Sequence, residues 1–66
     1  MRLVVTSEGG AETEGMLLHK DSAFLFVKEF GSPDKSVLVF PWPLVSRVQR
    51  IVKGNRQEVN IGRYRT

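Results

Sequence analysis

The chain has 66 residues, no cysteine and a single histidine, His19, so it has room for one domain and excludes disulfide staples, thiolate metal sites and multi-histidine zinc centres. Its net charge of +3 is unevenly spread. Residues 1–46 carry Arg2, Lys20, Lys28 and Lys35 against Glu8, Glu12, Glu14, Asp21, Glu29 and Asp34, whereas residues 47–66 carry Arg47, Arg50, Lys53, Arg56, Arg63 and Arg65 against Glu58 alone, an asymmetry that directs an anionic partner to the carboxyl-terminal third or else marks a solvated basic tail.

Apolar residues recur mainly with the period of strands. Arg2–Thr6 reads as a first strand, followed by a turn at Glu8-Gly9-Gly10-Ala11, where glycine accepts positive φ. Glu12–Lys20 reads as a second strand, with Gly15 marking a bend or bulge. After a short turn at Lys20-Asp21-Ser22, Ala23–Phe30 reads as a third strand, closed by the turn signal Gly31-Ser32-Pro33-Asp34. Ser36–Phe40 reads as a fourth strand that Pro41-Trp42-Pro43 stops, because proline cannot donate to a ladder.

Leu44-Val45-Ser46 then suits one 3₁₀ turn, and Arg47–Val52 a fifth strand. Leu44, Val48, Ile51 and Val52 also have helical spacing, but the β-branched Val45, Val48, Ile51 and Val52 and the two prolines favour turn followed by strand. Lys53-Gly54-Asn55-Arg56 is a hairpin turn, Gln57–Ile61 alternates as a sixth strand, and Gly62–Thr66 is expected to fray unless a partner binds it. Short strands joined by tight turns predict an all-β fold: a small SH3-like or Sm-like barrel of five to six strands with a 3₁₀ turn before the fifth. The barrel domain is expected over residues 1–62 and a basic tail over residues 63–66.

Gly15, Leu17 and Asp21, followed by Phe24-Leu25-Phe26-Val27, resemble the pattern of Sm-like proteins, including their bacterial Hfq branch: a glycine in the second strand, a hydrophobe two residues on and an aspartate six residues after the glycine. Val39–Ser46 is similar to the stretch that leads into the short last strand of that branch. The resemblance spans about half of the chain and implies a small barrel and a tendency to form rings. Pro41 and Trp42 stand where Hfq carries its RNA-contacting lysine and histidine, so it implies no RNA site residue by residue.

Several sites of chemistry are absent. His19 has no paired serine or cysteine nucleophile, and Glu8-Gly9-Gly10 lacks the lysine, the threonine and the helix of a phosphate loop. Glu12 and Glu14 share a strand face, which reads as a hydrated edge ahead of a divalent-ion site. The expectation is therefore a protein that is not an enzyme and has no catalytic residues, metal or cofactor. Leu3-Val4-Val5 is too short for a signal peptide and Ala23–Val27 too short to cross a bilayer, so a cytoplasmic protein without a membrane partner is expected.

The binding candidates are Trp42, Arg47, Arg50, Lys53, Arg56, Arg63, Tyr64 and Arg65. Trp42, between two prolines, is either a plug in the barrel mouth or an exposed stacking platform. On a strand Arg47 and Arg50 face opposite sides, so the basic series is not one flat patch. Arg63-Tyr64-Arg65 sets a ring between two guanidinium groups and suits phosphate and base together. A domain of this size buries only roughly 60% of its unfolded surface and has no staple, so a homo-oligomer is expected. Two functions remain open: a non-catalytic binder of RNA, ahead of DNA, or a protein-interaction or self-assembly module without a nucleic-acid ligand.

Overall fold

The structure, a computed structural model, describes residues 1–31 and 36–65. It is all-β, with strands β1 (Arg2–Ser7), β2 (Glu12–Lys20), β3 (Phe24–Glu29), β4 (Val37–Pro41), β5 (Val45–Val52) and β6 (Asn55–Glu58). A 3₁₀ turn at Trp42–Leu44 precedes β5, and a short helix α1 (Ile61–Tyr64) follows β6. All six strands form one antiparallel sheet in the order β4-β3-β2-β1-β5-β6.

Alternation of side chains sorts each strand onto two faces. Leu3 and Val5 of β1, Leu25 and Val27 of β3, and Val45 and Val48 of β5 turn to the inner face and form the core with Trp42. Leu17, Phe40, Val59, Ile61 and Tyr64 pack around it. Each fully buried aliphatic side chain contributes about 1.5–3 kcal/mol. Val4 points the other way, between Glu14 and Gln49 in cross-strand register. The outer face over β2, β3 and β4 carries Met16, Phe24, Val37 and Val39 exposed.

Pairing does not close the sheet into the expected barrel: β4 and β6 stand at opposite ends of the strand order. The reason is visible at β6, whose four residues Asn55-Arg56-Gln57-Glu58 are polar and exposed and offer no apolar face to lay across the core. The chain instead leaves β6 early. The sixth strand expected over Gln57–Ile61 runs over Asn55–Glu58, and Val59 and Ile61 turn onto the core. Asn60 caps α1 by accepting from the Arg63 amide through its side chain. Residues 61–65 therefore do not simply fray: Ile61–Tyr64 are helical and Arg65 caps them.

The 3₁₀ turn sits two residues earlier than expected, at Trp42–Leu44 rather than Leu44–Ser46. Pro43 suits an early helical position, while β-branched Val45 returns the chain to extended geometry. The β5–β6 turn takes Lys53 and Gly54 to φ of 51° and 80°, the primed geometry that joins two twisted strands. Of the turn expected at Gly31-Ser32-Pro33-Asp34, only Gly31 lies among the described residues.

Two local contacts shape the curl. At Gly15 a Cβ would lie 2.6 Å from Val27 Cγ1 and would also meet the Lys28 carbonyl, so β2 and β3 approach there only because the side chain is missing. At the β2–β3 turn, Asp21 Oδ1 accepts from the Ala23 and Phe24 amides, each at 2.8 Å, and the Asp21 carbonyl accepts from Trp42 Nε1 at 2.7 Å.

Gly15→Ala is expected to lower stability by about 1–3 kcal/mol, the usual range for overpacking a tight core, read as a fall in the urea midpoint at unchanged slope. The Phe24 amide, and then the Ala23 amide, hold the Asp21 carboxyl below its usual 3.8. A pKa lower in the folded chain than in the unfolded one adds stability that is complete above about pH 4 and is lost as pH falls through the folded value. Asp21→Asn keeps the turn acceptor but not the titration. Wild type should lose more of its urea midpoint than Asp21→Asn between about pH 6 and about pH 2.5.

Candidate functional site

At one end of the inner face, the last residue of β2, the inward side of β5 and the segment from β6 into α1 surround an open cleft of about 350 Å³. Lys20, Arg50, Glu58, Val59, Asn60, Arg63 and Tyr64 line it. Register explains the gathering. Arg50 lies opposite Leu3, and Lys20 opposite Leu25, so both are core-face positions at the point where the core gives way to solvent.

Tyr64 forms the cleft's floor. Its ring stands edge-on to Trp42, with centroids 6.3 Å apart. The Lys20 ammonium lies 4.7 Å from its ring centroid and donates to the Tyr64 carbonyl at 2.6 Å. The phenol donates a long contact to Met1 Sδ at 3.6 Å. Burial raises the Tyr64 pKa above its usual 10.0, against a smaller opposing effect of Arg50, so at neutral pH the phenol is an uncharged donor. Around the ring the ammonium of Lys20, the guanidinium groups of Arg50 and Arg63 and the Asn60 amide are all donors. Among the described residues Glu58 is the one acid in the cleft lining, and its Oε1 is held by Arg47 Nε at 2.7 Å. A donor-rich hollow with a half-buried aromatic floor suits an anionic oxygen ligand.

The eight residues singled out from sequence fall into separate places. Arg50, Arg63 and Tyr64 meet in the cleft. Trp42 is only 2% exposed, so it is the plug rather than the stacking platform: its indole is needed inside, with its N–H satisfied by the Asp21 carbonyl. Arg47 and Arg56 project from the outer face into ion pairs, Arg47 with Glu58 and Arg56 with Glu12 at 3.2 Å. Arg56 also reaches Gln49 Oε1 at 3.4 Å. Lys53 lies at the exposed tip of the β5–β6 hairpin, and Arg65 is the exposed carboxyl cap of α1.

Lys20 and Asn60 were not among those candidates. Asn60 carried a usable signal, an asparagine just before a helical turn. Lys20 carried none, because it stands 44 positions from the carbonyl it meets.

Glu12 and Glu14 do share a face, but Arg56 engages the first and Arg2 the second. Among the described residues no group of three or more His, Asp or Glu side chains is placed to hold a metal ion, and no helix is long and apolar enough to cross a membrane. His19 lies on the outer face against Phe26, ring centroids 5.5 Å apart, with Asp21 Oδ2 at 3.7 Å. No protein-family model, curated protein or solved structure matches the chain.

Tyr64 shields the molecule's one tryptophan. Tyr64→Ala should shift Trp42 emission to the red and cost about 2 kcal/mol, less than a fully buried ring because Tyr64 is partly exposed, whereas Tyr64→Phe should leave the emission unchanged.

Proposed function

We propose that this protein is a non-catalytic nucleic-acid-binding module whose preferred ligand is single-stranded RNA, held by phosphate contacts at the cleft. One observation carries the reading: Lys20, Arg50 and Arg63, distant in sequence, converge around Tyr64 with the neighbouring acid engaged elsewhere. No carboxylate lies within ion-pair reach of Arg50 among the described residues, so its charge faces the cleft.

The geometry favours a single strand over a duplex. Helix α1 has four residues, too few to read a major groove, while the hollow is of a size to take one extruded nucleotide. Lys20 covers part of the Tyr64 ring, so backbone charge rather than base stacking supplies most of the affinity, and sequence preference is weak. RNA stands ahead of DNA because the Asn60 amide and the Tyr64 hydroxyl suit a ribose hydroxyl beside the phosphate.

With this reading goes an SH3-like or Sm-like architecture, open and curled rather than closed into a barrel. Its support is the pairing of β1 with β5 across the chain, together with the register shifts at Thr6/Ser7 and Leu17/His19 and the close approach at Gly15, which bend the sheet.

The test is fluorescence anisotropy of a labelled single-stranded RNA across a salt series, with DNA of the same sequence alongside. Phosphate contacts from Lys20 and Arg50 give a slope of log K against log salt of about −1.4, and Lys20→Gln or Arg50→Gln each reduces it by about 0.7. Arg2→Gln, on the other face and paired with Glu14 rather than with the cleft's acid, leaves the slope unchanged. Absence of binding at low salt, or an Arg2→Gln loss as large as that of Arg50→Gln, overturns the proposal.

A further inference from the structure

Beyond the cleft, on the opposite face, the sheet ends in two unlike edges. β6 is polar throughout, and its Arg56 and Glu58 are tied into ion pairs. β4, Val37–Pro41, has no charged residue, and charged side chains are one of the means by which an edge avoids pairing with another strand; Pro41, another such guard, stands only at the strand's end. Val37 and Val39 are 52% and 50% exposed. Beside them on the outer face are Phe26, in register with Val39, and Phe24, whose ring stands edge-on to Phe26 at 6.3 Å.

The ladder fixes which backbone groups this edge presents. The Glu29 amide donates to the Ser36 carbonyl and the Trp42 amide to the Ala23 carbonyl, both at 3.2 Å. Hydrogen-bonded pairs alternate along an antiparallel ladder, so Leu38 and Phe40, opposite Val27 and Leu25, also turn their backbone groups toward β3. Val37 and Val39 therefore turn both N–H and C=O away from the sheet. Pro41 offers a carbonyl and no donor.

We propose that β4 pairs antiparallel with β4 of a second copy of this chain about a two-fold axis, with Val37 of each copy opposite Val39 of the other. In that register every outward N–H and C=O of Val37 and Val39 finds a partner. The neighbouring register, Val39 opposite Val39, sets Val37 against Pro41 and leaves the Val37 carbonyl without a donor. Self-pairing also brings uncharged edge to uncharged edge. Joining β4 to β6 of a neighbour would instead set the two valines against the Arg56 and Glu58 edge. The pairing makes one apolar row, Phe26–Val39 of one copy continuing into Val37 of the other, and the reverse row alongside it. Both clefts stay open on the far face, so assembly and RNA binding are read separately.

The experiment is solution mass by light scattering and sedimentation equilibrium without RNA, up to about 1 mM protein. Wild type should move from 7.5 kDa to twice that mass as concentration rises. Val39→Lys, at an exposed position where folding is not at risk, should remain monomeric, and a synthetic chain N-methylated at Val39 should do the same with its side chain intact. Arg56→Gln on the other edge should dimerise as wild type does. The register is read by oxidation: a mixture of Val37→Cys and Val39→Cys chains should cross-link to each other in preference to themselves. A strict monomer at every concentration, dissociation by Arg56→Gln, or cross-linking of Val39→Cys chiefly to itself would each overturn the proposal.

Discussion

The register of β1 between β2 and β5 is the constraint on which the rest of the molecule depends. β1 is hydrogen-bonded on both sides, and its Leu3 and Val5 are completely buried. Side chains alternate with a period of two, so a slip of one residue against β5 would exchange the faces of Gln49 and Arg50. Arg50 would then join the outer ion pairs and Gln49 would enter the mouth of the core. Burial of Leu3 and Val5 against Val48 forbids that slip, and the cationic cleft follows from apolar packing.

The same register sorts the charges. On the outer face, Arg2, Arg47 and Arg56 meet Glu14, Glu58 and Glu12. Exposed pairs of this kind are worth about 0–1 kcal/mol each, so their main consequence is electrostatic: they neutralise one face of a basic chain. On the inner face, Lys20, Arg50 and Arg63 gather at the cleft, while the Glu58 carboxylate meets Arg47 on the outer one. The two faces of one sheet thus differ in character, one balanced and partly apolar, the other rich in cationic donors at its end.

Trp42 links the cleft to the core. Its indole N–H holds the β2–β3 turn through the Asp21 carbonyl, and its ring supports Tyr64 from beneath. The turn is itself tied by the Asp21 carboxylate to two amides. A stop signal between two prolines has become a central packing element, because a large ring at a strand end can fill the space that an open sheet leaves uncovered.

The sequence by itself determined the all-β class, the bounds of β2, the presence of a hairpin turn after Val52 and the opposite facing of Arg47 and Arg50, since these follow from local periodicity and backbone chemistry. Gly15 was also legible as a point of bending, though not as a contact with Val27. Only the tertiary structure decided that the sheet ends in two edges, that Trp42 lies inside, that Arg47 and Arg56 are paired while Arg50 faces a cleft, and that Lys20 reaches Tyr64. Those outcomes depend on which strands become neighbours. That choice is made by the burial of Leu3, Val5, Leu25, Val27 and Val48 together, a cooperative property of the packed core that no single stretch of the chain carries.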